Sequence, residues 1–330
     1  MREFDLLADI IADGQNMADP IMIGPGDDMG SIRIGGDELL IAVDQVVDGV
    51  HVDIAQCGLS KAGRKVITRN LSDVAAMGAE PVGAVCAANL PRSMSQDDAE
   101  QLLYAVRETG EIYRCPVFGG DVSVWDGAMS LSVTVLAQMA KGCGAPIQRL
   151  GAQPGDGIYV TDELGGAMAV MSLCDEGSCE NFVKHLDFQP RLKVGVQLAK
   201  ETTAEQGGRR PTAMIDLSDG LAKDLSHIVR MNKCAAELGE NWLPIGKAAQ
   251  IAAKHSGKSV WEHAVGDGED YELLFTGNID AWGEGVTDYF GVKVTRIGQI
   301  VEADHAPAIM LHLENSKLVD LAGLGWEHGS

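Results

Sequence analysis

Residues 67–79 carry a conflict that any fold of this chain has to resolve. They run Ile67-Thr68-Arg69-Asn70-Leu71-Ser72-Asp73-Val74-Ala75-Ala76-Met77-Gly78-Ala79 and read as the C-terminal half of a helix that begins near Ser60, an N-cap type of residue. Val66, Ile67, Asn70, Val74 and Met77 fall at helical spacing, and Gly78 suits a left-handed stop. The flanks are almost wholly apolar or small, so the helix is expected to be buried. Yet it carries Asn70, Ser72 and Asp73, and a buried carboxylate needs a partner, usually a metal ion or a cationic group. One Asp on a helix is ordinarily a satisfied polar contact. The tripeptide Leu-Ser-Asp, however, returns at 217–219, where an apolar run ends in Asp216, Ser218 and Asp219, then Gly220 and a helical pattern from Leu221 to about Met231. A strand end that delivers acids to a strand-to-helix turn is a common place for polar groups to meet a ligand.

The bulk properties narrow what those acids can be for. The chain has 330 residues, enough for two domains and a large core, with 45% hydrophobic and 22% charged residues. Its formal net charge is −22, from 26 basic and 48 acidic residues. That balance argues against a nucleic-acid or anionic-membrane binder, either of which needs a basic face. An acidic protein that handles phosphates has to do so through metal ions. The cysteines are odd in number and scattered, with no C-x-x-C pair, which fits free thiols in a reducing cytoplasm and makes zinc a poor expectation. Glu3, Asp5 and Asp9 stand where a signal peptide would be basic and then apolar, and no apolar run approaches membrane-spanning length. The expectation is a soluble cytoplasmic protein.

Along the chain, residues 3–13 are expected as a short amphipathic helix, followed by the glycine-rich loop Gly26-Asp27-Asp28-Met29-Gly30. Leu39 to Val43 reads as a strand ending at Asp44, with Asp48, His51 and Asp53 in a loop. Val82 to Ala88 is a second buried strand, residues 95–114 a helix started by Asp97 and Asp98, and Pro116-Val117-Phe118 a short strand running into Gly119-Gly120-Asp121. Residues 130–138 alternate Leu131, Val133, Val135 against Ser130, Ser132, Thr134, a half-exposed strand. Glycines and prolines over 140–157, with Arg149 among them, mark a boundary between a domain at 1–140 and one at 150–330. Beyond it come a strand at 158–161, helices at 166–174 and 190–202, the strand into Asp216 with its helix, a helix at 248–253, a strand at 271–276 behind the acidic loop Gly266-Asp267-Gly268-Glu269-Asp270, and a strand region at 291–300. The fold class is mixed α/β.

Asp27/Asp28, Asp44, Asp73, Asp121 and Asp216/Asp219 thus share one design: an apolar strand or buried helix, small residues, and a carboxylate. Any one of them alone reads as a turn or capping Asp; their joint occurrence points elsewhere. Hard cations such as magnesium take carboxylate oxygens and keep waters for phosphate contacts. Carboxylates that bridge ATP phosphates through such ions suit an acidic phosphotransferase. There is no G-x-x-x-x-G-K-[ST] loop and no kinase-type G-x-G-x-x-G set, so the common nucleotide folds are not supported.

Gly26-Asp27-Asp28, Val43-Asp44 with Gly49-Val50-His51, Asn70 to Ala79, Gly119-Gly120-Asp121, Arg149 to Asp156, Ile215 to Leu221 and Gly268 to Leu273 together resemble the thiamine-monophosphate kinase family, in order and spacing over nearly the whole chain. The wider superfamily holds aminoimidazole ribonucleotide synthetase, selenophosphate synthetase and a hydrogenase-maturation protein. The resemblance implies the two-domain aminoimidazole ribonucleotide synthetase-like fold and a homodimer paired through its N-terminal sheets. It implies direct in-line transfer of the γ-phosphoryl of ATP to thiamine monophosphate with magnesium, and no covalent phosphoenzyme. By position, Asp28, Asp44, Asp73, Asp121, Asp216 and Asp219 would hold magnesium. Tyr104, Gly120, Arg149 and Ser218 would touch ATP, and His51, Glu269 and Trp326 the substrate, Trp326 by stacking on a thiamine ring. The chain departs from the family in two places: Ala42-Val43 stands where hydroxyl residues precede the loop Asp, costing a magnesium ligand, and Gly329 replaces an aromatic. The alternatives are another ATP-dependent enzyme of the superfamily and a nucleotide-binding paralogue without catalysis.

Overall fold

The computed structural model describes residues 17–167, 183–203 and 207–326. The expected helix at 3–13, nearly all of that at 166–174, and the chain after Trp326 lie outside them. Two sheets organise the rest. The first has six strands in the order β1-β2-β3-β6-β4-β5: β1 (Ile21–Ile23), β2 (Gly30–Ile34), β3 (Asp37–Val47), β4 (Ala79–Pro91), β5 (Val117–Trp125) and β6 (Ser130–Met139). Only the β4–β5 pair is parallel. The second has eight strands, β14-β13-β9-β12-β7-β10-β8 with β11 on β12: β7 (Gly157–Thr161), β8 (Ala213–Asp216), β9 (Cys234–Gly239), β10 (Leu273–Gly277), β11 (Val286–Tyr289), β12 (Val292–Glu302), β13 (Ile309–His312) and β14 (Leu318–Asp320). The helices are α1 (Ile54–Cys57), α2 (Leu59–Ala76), α3 (Gln96–Ile112), α4 (Val183–Leu186), α5 (Leu192–Lys200), α6 (Leu221–Asn232), α7 (Lys247–Ser256), α8 (Val260–Gly266) and α9 (Ile279–Trp282).

The helix that the sequence marks as buried is α2, and its burial has a specific cause: it lies between the two sheets. Val66, Ile67, Leu71 and Val74 enter a core with Leu40, Val46, Leu131, Val133 and Val135 of the first sheet. Ala75 and Ala76 enter another with Tyr159, Met214 and Phe275 of the second sheet and Val194 and Leu198 of α5. The contact with α5 is backbone to backbone. A Cβ on Gly195 would lie 2.1 Å from the Ala75 carbonyl oxygen, so only glycine lets the helices approach this closely. A third core, with Ile158, Val160, Ile215, Leu225 and Ile228, sits beneath α6.

Several element ends differ from expectation. Helix α2 starts at Leu59, with Gly58 at the cap position and no side-chain cap, so Ser60 lies in its first turn; Gly78 takes the expected left-handed conformation at φ +69°. Strand β3 does not stop at Asp44 but runs on to Val47, because Arg69 of α2 neutralises that carboxylate at 2.7 Å while Leu40, Ala42 and Val46 on the same face are buried. Gly119-Gly120-Asp121 is not a loop after a short strand; it lies inside β5. A Cβ at Gly120 would come within 1.9 Å of the Cys86 carbonyl oxygen of β4. Pro190 precedes α5 instead of opening it; Arg191 holds the cap position and spends its side chain on Glu272 and Asp162. The alternation over 130–138 is as read, with Leu131, Val133 and Val135 buried.

Candidate active site

The end of β8, the buried helix α2 and the loop between β1 and β2 converge on one point. Carboxylate oxygens of Asp28, Asp73 and Asp216 lie within 4.8 Å of one another, the one such acidic group among the described residues. Ser72 Oγ donates to Asp216 Oδ2 at 2.7 Å, which joins α2 to the second sheet. Arg149 closes the other side. Its Nη2 donates to Asp28 Oδ1 at 2.6 Å, its Nη1 to the Gly26 carbonyl at 3.4 Å, and its backbone N–H to Asp27 Oδ2 at 3.3 Å. Asp28 Oδ2 is buried and has no hydrogen-bond partner.

Crowding and burial oppose ionisation here. Burial, then Asp28, pushes Asp216 up from 3.8 to about 7 against the pull of Ser72 and Arg149. Burial and Asp28 do the same to Asp27, again to about 7. Burial raises Asp28 despite Arg149, and raises Asp73 further still, with Asp216, Asp44 and Asp28 adding to the effect. Carboxylates this close cannot all stay charged without a cation between them. An unsatisfied carboxylate oxygen facing two other acids, all of it hard oxygen donor, fits magnesium.

Two of the other acids expected as ligands, Asp44 and Asp219, have protein partners. Asp44 pairs with Arg69, whose Nη1 also donates to the Gln45 carbonyl at 3.0 Å. Asp219 pairs with Lys223 at 2.7 Å. Asp219 and Ser218 sit on the turn between β8 and α6, and Asp224 Oδ2 fixes that turn by accepting the N–H groups of Asp219 and Gly220, both at 3.1 Å. Trp326 docks beside it, its N–H on the Asp219 carbonyl at 2.9 Å and its own carbonyl accepting from Lys223 at 2.8 Å.

His51 and Glu269 come together through Lys65, which the sequence reading passed over. Lys65 Nζ donates to the His51 carbonyl at 2.8 Å and to Glu269 Oε2 at 2.7 Å. His185 Nδ1 also reaches Glu269 Oε2 at 2.7 Å, and Tyr271 donates to Glu269 Oε1 at 3.2 Å. Against the cost of burial, Lys65 and His185 hold the Glu269 carboxyl well below the usual range. The signal for Lys65 and Arg69 was present in the sequence: positions 65, 69 and 72 fall at helical spacing on the same face as Asp73, the acid of α2. His185 had none.

Tyr104, Gly120 and Asp121 are not brought to the acids within one chain. Tyr104 is 66% exposed on α3. Across the first sheet Asp44 pairs with Val133, Val133 with Cys86, and Cys86 with Gly120, three strand spacings or about 14 Å. Strand alternation turns Asp121 to the face opposite Asp44. Val43 also lies on that opposite face and is 65% exposed. A hydroxyl at Val43 would therefore point away from the face that carries Asp44, whereas Ala42 lies on that face and is buried.

Comparison with known proteins bears on this arrangement. Residues 26–139 match the family model described as AIR synthase related protein, N-terminal domain. A thiamine-monophosphate kinase of Rhodopirellula baltica is 32% identical over 289 residues, covering 85% of this chain and 84% of its own. The chain belongs to the thiamine-monophosphate kinase family. The Escherichia coli member is 31% identical over 313 residues, 90% of each chain. A solved structure described as AaThiL complexed with AMPPCP and TMP superposes with a TM-score of 0.80 at 26% identity, covering 99% of this chain and 97% of that one. The fold is therefore the two-sheet α/β fold of that family, as the motifs implied.

Proposed function

We propose that this chain is a thiamine-monophosphate kinase, transferring the γ-phosphoryl group of ATP to the phosphate of thiamine monophosphate to give thiamine diphosphate and ADP. The observation that carries the reading is the Asp28, Asp73 and Asp216 cluster, with its unpartnered oxygen, set against Arg149 in a chain of this family. Asp28, Asp73 and Asp216 would hold magnesium, with Asp44 and Asp219 released from Arg69 and Lys223 to join them. Bound there, magnesium supplies neutralisation of the phosphate charge that builds up during transfer. Arg149, kept protonated by Asp28, orients phosphate oxygens through its planar fork. Ser218 lies on the nucleotide side of the β8–α6 turn. His51, Glu269 and Trp326 would meet the cationic thiamine ring system, the Trp326 and Glu269 N–H groups lying on the Asp219 and Ser218 carbonyls of the β8–α6 turn. Transfer would be direct and in line between the two bound phosphates, without a covalent phosphoenzyme.

Asp121, Gly120 and Tyr104 fit this reading in a homodimer. Strand β5 is an edge with Phe118, Val122, Val124 and Trp125 exposed, and the open face of the first sheet continues from it through Val43. A second copy on this surface would cover the apolar edge and carry its own Asp121 toward the neighbouring cleft.

The test is a product assay. Purified chain with ATP and magnesium should form thiamine diphosphate from thiamine monophosphate, and nothing from thiamine. ADP release without thiamine diphosphate would assign another superfamily reaction. ATP binding without any turnover would make the chain a non-catalytic paralogue.

A further inference from the structure

We propose that Lys65 is a positioning residue for the acceptor substrate, holding Glu269 and the His51 loop in one frame. This rests on the assignment of His51 and Glu269 to thiamine monophosphate. The Lys65 side chain is fully buried in the middle of α2. An amine in such a place is costly unless every proton finds an acceptor. Each does: the His51 carbonyl at 2.8 Å, Glu269 Oε2 at 2.7 Å and His185 Nε2 at 3.2 Å. These partners come from three separate parts of the chain: the loop after β3, the loop before β10, and α4. A compact ammonium with three donors suits three acceptors in different directions, whereas the planar fork of arginine suits one.

Lys65 ties together two residues from different sheets, His51 and Glu269, the latter also held by His185 at 2.7 Å. His51 belongs to the first sheet's loops and is steadied by the Val47 N–H on its Nδ1 at 3.1 Å. Glu269 belongs to the second sheet and holds a left-handed backbone at φ +56°, a conformation that a side-chain-bearing residue keeps only when its surroundings fix it. Lys65 supplies both the countercharge and the geometric tie. Its place along α2 also separates the two ends of the cleft. Asp73 is two turns further on, about 12 Å along the helix axis. Lys65 Nζ bonds only His51, Glu269 and His185, and of these Glu269 meets the nucleotide side through its backbone N–H on the Ser218 carbonyl at 2.7 Å, so loss of the amine should act chiefly at the acceptor end.

The experiment compares Lys65→Met, Glu269→Gln and the double variant with the parent, reading KM for thiamine monophosphate, KM for ATP, and thermal midpoint. Lys65→Met should raise KM for thiamine monophosphate by about tenfold or more, the worth of a hydrogen bond to a charged group, and leave KM for ATP within about twofold. In the double variant the buried pair is removed together, which keeps the test open should the single variant not fold. Its KM for thiamine monophosphate should match that of Glu269→Gln alone. Equal rises in both KM values, or a further large rise in the double variant, would reduce Lys65 to a structural tie and overturn the inference. A raised KM in Glu269→Gln with a parental KM in Lys65→Met would overturn the inference alone. A parental KM in Glu269→Gln would remove the assignment of Glu269 itself, and the inference with it.

Discussion

Asp216 has a carboxyl that burial and Asp28 push from 3.8 to about 7, and Asp27 shares the effect. A folded-state value above the unfolded one means that the native chain holds protons which the unfolded chain has released. Between about pH 4 and 7 these carboxyls should therefore contribute less stability to the metal-free protein as pH rises, the reverse of a salt-bridged carboxylate and opposite in sign to His227, which burial lowers to about 3. Magnesium at neutral pH should restore it, because the cation takes the place of those protons. Thermal midpoints at pH 5, 6 and 7.5, in EDTA and in magnesium, check the sign. Asp216→Asn removes one of the crowded charges, so its metal-free midpoint at pH 7.5 should exceed the parent's while the magnesium response disappears. A parental magnesium response in that variant would place the cation elsewhere.

At the scale of elements, α2 is the unit on which the site depends. Along one helix it carries Lys65, Arg69, Ser72 and Asp73, and Gly195 of α5 sets how closely it seats. Gly195→Ala would drive a methyl group into the Ala75 carbonyl, where the gap is 2.1 Å. It should cost about 1–3 kcal/mol by urea unfolding and raise the magnesium concentration needed for half-maximal activity, since Asp73 moves with the helix. Unchanged unfolding would mean that α5 can shift freely. The identity of α2 as a buried acidic helix was legible in the sequence because periodicity and polar exceptions are local signals. The acids at 28, 73 and 216 were legible only within a larger set with 44, 121 and 219, because each lies by an apolar strand or buried helix and small residues. What was not legible is pairing. That Asp44 meets Arg69, that Glu269 meets Lys65 and His185, and that Asp121 faces away from Asp44 all depend on which strands lie side by side. Strand ends were misjudged for a related reason: Asp44 and Gly119-Gly120-Asp121 look like loop residues until a neighbour supplies the countercharge or the close backbone.

For the whole molecule, the proposed homodimer would give the exposed β5 edge and the distant Asp121 one joint explanation, a cleft completed by a second copy. Asp121→Asn and Asp216→Asn should each be inactive as pure preparations. Mixed and allowed to exchange subunits, they should recover part of the activity, because one cleft of each mixed dimer then combines an intact Asp216 with the partner copy's intact Asp121. No recovery from a preparation shown to have exchanged would place both acids in the same chain's cleft.

The seat of α2 between the sheets also bears on how the chain could be divided. The stretch between Met139 and Gly157 looks like a natural place to cut, since it holds no strand or helix, although Gln148, Gly155 and Asp156 bond the backbones of Met214 and Ile300. A cut would nonetheless strip Ala75 and Ala76 of their cover on one fragment and expose Val194, Leu198 and Phe275 on the other. The fragments would be halves of a zip, each holding back the apolar surface that the other needs. Expressed separately they should be prone to aggregate, and expressed together they should reassemble, which makes this junction a split point for a fragment-complementation reporter.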